Sequence, residues 1–78
     1  MVFVQSKVMP YASNDQLPQP VRSHLPPAAQ DIYREAFNHA WQTYGSEPRG
    51  EEIAHRVAWA AVKRRYKKSE DGEWRPKE

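Results

Sequence analysis

Residues 53–66, IAHRVAWAAVKRRY, leave this chain few folds to adopt. No proline or glycine interrupts them, and their apolar members follow no two-residue alternation, so they read as helix rather than strand. At about 100° per residue, Ile53, Ala54, Val57, Ala58, Trp59, Ala60, Ala61, Val62 and Tyr66 spread over most of the circumference. Only a narrow stripe through Glu52, Arg56, Lys63 and Lys67 is consistently polar. A helix that is apolar nearly all round is expected at the centre of a fold, packed on several sides, and its four alanines let neighbours approach closely. The spacing predicts a helix from about Pro48 to Tyr66. Pro48 suits a first helical position, and Glu47, Glu51 and Glu52 place negative charge at the positive end of the helix dipole.

Such a helix needs partners, and the preceding stretch PAAQDIYREAFNHAWQTYG provides the main one. Ala29, Ile32, Tyr33, Ala36, Phe37, Ala40, Trp41 and Tyr44 recur at steps of three and four and form one broad apolar face. Asp31, Arg34, Glu35, Asn38 and Gln42 take the other side. Pro26 and Pro27 suit its start, and Gly45 suits a left-handed residue at its end, so a helix is predicted over 27–44. Phe37, Trp41, Val57 and Trp59 are expected to be buried between the two long helices. Five of the seven prolines lie between Met9 and Pro27, which forbids a long helix there. A short one ending near Leu25 is allowed, with Pro18 and Pro20 in its first turn and Asp15 as a cap. Residues 1–8 are expected to be an extension, a loose tail rather than a strand. In the C-terminal stretch, Asp71-Gly72 marks a tight hairpin turn that would fold Trp74 back onto the helices. The fold class is mainly α: one small domain, residues 9–78, of two long helices, one short helix and a minor C-terminal β-hairpin.

Composition narrows the function. A chain of 78 residues has a thin stability margin, and with no cysteine it has neither disulfides nor thiolate zinc sites to add to it. Nine aromatic residues are left to supply the packing. No apolar run approaches the roughly 18 residues of a membrane span, and MVFV is too short for a signal-peptide core. A soluble, cytoplasmic protein is expected, without direct membrane insertion. No nucleophile elbow, glycine-rich phosphate loop or Ser/His/acid motif is present, so the chain is read as a binding protein without cofactor, not an enzyme. Glu51 and His55 are four apart and share a helix face, but EEIAH lacks the first histidine of the zinc-protease H-E-x-x-H, and no metal site is assigned. His24 and His39 have no ligand spacing.

The net charge of +2 is mild, yet its distribution is not. Lys63, Arg64, Arg65, Lys67 and Lys68 make five of six consecutive residues cationic, with Tyr66 among them. Cations at a helix C-terminus complement the dipole, and a solvated helix end is the plain reading. Five exceed that need. Together with Arg56 on the same polar stripe, they are the candidate binding residues for an anionic partner, either an acidic protein face or nucleic acid.

Several blocks resemble the ChaB family: MPY at residues 9–11, LP at 17–18, HLPPAAQDIYREAFNHAW at 24–41, EEIAHRVAWAAVKRRYKK at 51–68, and DGEW around Trp74. The resemblance runs from Met9 onward, and the AFNHAW and AHRVAWAAVK blocks are its most specific parts. It implies a small helical domain with short accessory strands. It also implies a regulator of cation transport that contacts a sodium or calcium/proton antiporter, with DNA binding as the alternative suggested by ChaB-like proteins of DNA viruses. Two departures from the family pattern stand out. Residues 1–8 precede its usual start, and the GSEPRG turn looks shorter than in relatives with a long charged insert.

Overall fold

The computed structural model describes residues 10–77; the expected N-terminal extension lies outside the described residues. A 3-10 turn at Asn14–Gln16 leads into α1 (Gln19–His24), α2 (Pro27–Tyr44) and α3 (Gly50–Arg65). Strands β1 (Tyr66–Lys68) and β2 (Trp74–Pro76) close the chain as an antiparallel hairpin, with Tyr66 opposite Pro76, Lys67 opposite Arg75 and Lys68 opposite Trp74. The expected fold class is what the structure shows.

The helix boundaries follow local chemistry. Pro27, whose missing N–H costs nothing in a first turn, opens α2, and Pro20 does the same for α1. Asp15 is not the cap of α1. That position belongs to Pro18, and Asp15 sits instead in the preceding 3-10 turn. Helix α3 starts at Gly50 rather than Pro48, with Glu51 and Glu52 in its first turn as the dipole favours. Gly45 ends α2 in right-handed conformation, so the reason for glycine there is not a left-handed cap. A Cβ on Gly45 would lie 2.6 Å from the Trp41 carbonyl oxygen, and Gly50 is tighter still. A Cβ built on it would lie 1.9 Å from the Tyr44 carbonyl oxygen, so the α2–α3 turn closes only over a residue without a side chain. At the other end the turn around Asp71-Gly72 forms as expected, with Gly72 at φ 87°.

The core is a seam between α2 and α3. Ala29, Tyr33, Phe37 and Ala40 line it from α2, and Ala54, Ala58 and Val62 from α3, with Leu17, Val21, Leu25 and Tyr66 completing it. On α3 the buried positions, Gly50, Ala54, Ala58 and Val62, fall at steps of four. They form one narrow line of mostly small residues that lets α2 pack close.

This corrects the expectation of a helix packed on several sides. Val57 is 38% exposed, Ala60 is exposed, and Trp41 and Trp59 are only partly buried; of the four residues expected inside, Phe37 alone is fully so. The physical reason is twofold. Half of the apolar residues on α3 are alanines, whose small side chains lose little by facing water. Two long helices and one short one, with a small hairpin, are also too few elements among the described residues to surround any of them. Asn38 departs in the other direction. It belongs to the polar side by pattern but is buried, and it grips the backbone of Tyr11: Asn38 Nδ2 donates to the Tyr11 carbonyl (2.8 Å) and the Tyr11 N–H donates to Asn38 Oδ1 (3.3 Å). Each bond satisfies a polar group that burial would otherwise penalise.

Candidate functional site

The structure splits the six candidate cations between two settings. Arg56 lies on the outer face of α3, one turn from Glu52, whose carboxylate it meets at 3.1 Å. Arg49 reaches the same carboxylate at 3.1 Å, so this end of α3 holds a compact charge network of its own. Lys63, Arg64 and Arg65 form the last turn of α3, where they offset the negative end of its dipole. Lys67 and Lys68 do not continue that helix. They stand on β1, where side chains alternate, so Lys67 and Lys68 point to opposite sides of the hairpin. The polar stripe read through Arg56, Lys63 and Lys67 as one helix face therefore ends at Lys63. Helix gives way to strand at Tyr66, which turns inward and is buried. The chain is held in this bend by Lys77, whose N–H donates to the Arg65 carbonyl at 2.8 Å and satisfies an orphan acceptor of the helix end.

All five residues of this basic end are exposed, and among the described residues none has a carboxylate within ion-pair distance. Arg34, Arg49, Arg56 and Arg75 are paired with Asp31, Glu52, Glu52 and Asp71 respectively. Arg75 adds a further cation beside the cluster, directly across from Lys67. Sequence reasoning missed it because a hairpin register is needed to bring residue 75 against residue 67. Arg75 is engaged by Asp71 at 3.0 Å. The Ser69 hydroxyl, the Glu73 N–H and Arg75 together hold the Asp71 carboxyl down at about 2.

The Glu51–His55 pair noted in the sequence is real as geometry. His55 Nε2 is 3.7 Å from Glu51 Oε2, and its Nδ1 is hydrogen-bonded to the Tyr33 hydroxyl. Burial, with a smaller contribution from Tyr11, raises the Tyr33 pKa far above that of free tyrosine, so this hydroxyl stays protonated. The imidazole also packs against the Phe37 ring, centroids 4.6 Å apart. This arrangement ties α2 to α3. Among the described residues no three His, Cys, Asp or Glu side chains converge as metal ligands would, and no helix is long and apolar enough to cross a membrane.

On the flank of the helix pair away from His55 and Trp59 runs an open groove. Ile32, Ala36, Val57 and Ala61 form its floor; Glu35 and His39 stand along the α2 edge, Arg64 and Arg65 along the α3 edge. Two exposed surfaces thus meet at Arg64 and Arg65: the basic end and this groove.

The ChaB family profile matches residues 17–77. Proteins named "Putative cation transport regulator ChaB" from Escherichia coli K12 and Shigella flexneri are each 48% identical over 75 residues, covering 88% of this chain and 99% of theirs. A solved structure, "NMR solution structure of the putative cation transport regulator ChaB", is 49% identical, covers 88% of this chain and 100% of that one, and superposes with a TM-score of 0.78. With a matched profile spanning most of its length and relatives of nearly half identity, the chain belongs to the ChaB family.

Proposed function

We propose that this protein is a cytoplasmic accessory protein that regulates a cation/proton antiporter by binding an acidic cytoplasmic segment of it. The relatives' names as cation transport regulators support the regulatory part. The observation that carries the contact is the asymmetry of charge along α3. At its start Glu51 and Glu52 balance Arg49 and Arg56, both of which pair with Glu52, whereas Lys63, Arg64, Arg65, Lys67 and Lys68 are exposed with no acid beside them among the described residues. Unpaired cations gathered at one end raise the local concentration of an acidic partner and speed its capture.

The test is direct binding to purified cytoplasmic segments of a sodium or calcium/proton antiporter. Changing Lys63, Lys67 and Lys68 together to glutamine is expected to weaken binding by tenfold or more, on the order of 1.4 kcal/mol. Duplex DNA serves as the competing ligand. Affinity for it that persists at physiological salt, with a log–log salt slope that flattens by roughly 1 per neutralised contact, would transfer the site to nucleic acid.

A further inference from the structure

We propose that the open groove between α2 and α3 receives one amphipathic helix of a partner protein, with carboxylates on the edge facing α3 and a cation on the edge facing α2. This inference rests on the reading of the protein as one that works by protein contact, and it names the kind of segment the protein takes. The floor is apolar and partly uncovered. Val57 is 38% exposed, one of two large apolar residues so open among those described. Ala36 and Ala61 keep the middle of the groove low, so a helix backbone can approach. The rim is charged asymmetrically. Arg64 and Arg65 line the α3 edge without an acid of their own among the described residues, and Glu35 lines the α2 edge with no cation. An occupant that meets both edges must carry opposite charge on its two flanks.

Length and shape fix the rest. The groove follows α2 from Ile32 to His39 and α3 from Val57 to Arg65, which at 1.5 Å per residue is about 10–12 Å, or two helical turns. That span suits anchors at positions i, i+3 or i+4, and i+7 of a bound helix. A second copy of this chain presents the same concavity, and groove against groove leaves both unfilled. A phosphate backbone meets Arg64 and Arg65 but leaves Ile32 and Val57 in water. A helical ridge of a different protein satisfies floor and rim together.

The experiment selects a displayed library of helix-constrained peptides of about 14 residues, with leucines fixed at i, i+3 and i+7 and randomised flanks, on the intact protein. Enriched peptides are expected to carry Asp or Glu on one flank and Lys or Arg on the other, and to shift the amide resonances of Ile32, Ala36, Val57 and Ala61. Val57→Glu and, separately, Arg64→Glu should each lower their affinity by about tenfold or more. Both side chains are exposed, so an unchanged melting temperature confirms that the fold is intact in these variants. No enrichment over the naive library, or peptides that bind Val57→Glu undiminished, overturns the proposal. So does concentration-dependent dimerisation that Val57→Glu abolishes, which would make a second copy the occupant. An antiporter segment that still binds Val57→Glu but not the triple lysine variant removes the groove from the account and leaves the functional reading standing. Selected peptides that obey the flank pattern, beside an antiporter that does not bind at all, uphold the groove and remove the antiporter.

Discussion

The two flanks of the α2–α3 pair differ in their side chains and in what lies over them. On one flank Tyr33, Phe37, His55 and Trp59 are roofed: the Tyr11 ring lies 4.8 Å from Phe37, and Trp74 lies 5.7 Å from Trp59. On the other, Ile32, Ala36, Val57 and Ala61 have no such cover from the described residues and line a groove. The aromatic flank is also the one that the chain topology covers. The segment entering α1 and the hairpin leaving α3 both fold over the first flank, one pinned by Asn38 and the other by the Lys77–Arg65 backbone bond. Apolar content alone does not decide burial; it requires a piece of chain placed to do the covering. The covered flank is therefore where stability resides, and the open one is available for binding.

The sharpest way to break this comparison is to trim one residue from each side. Phe37→Ala is expected to cost about 3–5 kcal/mol, because a fully buried ring leaves a cavity the seam cannot refill. In a domain this small that is a large share of total stability and shows as a fall of many degrees in thermal melting. Val57→Ala on the open flank should stay within about 0.5 kcal/mol, as exposed substitutions do. Equal losses would show that the groove is packed in solution and the contrast false.

Next in size is Gly50→Ala, which acts where the two helices are joined. The added methyl collides with the Tyr44 carbonyl oxygen, so the turn must open, at an expected cost of about 2–3 kcal/mol by chemical denaturation. Alanine is the better helix former, so a neutral or stabilising result would mean that the turn is looser than described.

Changing Lys63, Lys67 and Lys68 to glutamine is expected to leave the melting temperature nearly unchanged, with a loss under about 1 kcal/mol from the dipole. Its effect belongs to binding. A large fall in stability would reassign the basic end from partner recognition to structure.

The smallest effect is the titration of Asp71. Its carboxyl is held at about 2 against an ordinary value of 3.8, first by the Ser69 hydroxyl, then by the Glu73 N–H and Arg75. A group whose pKa is lowered by folding adds stability above the unfolded value. That stability is lost as pH falls from 3.8 through about 2. The carboxyl carbon resonance of Asp71 should therefore titrate near 2, accompanied by the amides of Gly72 and Glu73 and not by the Phe37 ring signals. A midpoint near 3.8 would mean that the hairpin turn does not hold its carboxylate in solution.

The sequence by itself determined the local elements, because these depend on neighbours along the chain. Proline placement opened α1 and α2, the three-and-four spacing from Ala29 to Tyr44 gave α2 its bounds, and Asp71-Gly72 turned the hairpin. The cluster at residues 63–68 was legible as composition, as was the family through its AFNHAW and AHRVAWAAVK blocks. Only the tertiary structure decided how many sides of α3 would be covered, since that depends on where the remaining elements go. It also decided that Asn38 turns inward to hold Tyr11, and that Arg75 stands across from Lys67. It set Arg56 apart from the basic end by giving it Glu52, and it placed Arg64 and Arg65 on the rim of a groove. A helical wheel records the directions in which residues point, but which of those directions meet protein and which meet water is set by contacts between segments distant in the chain.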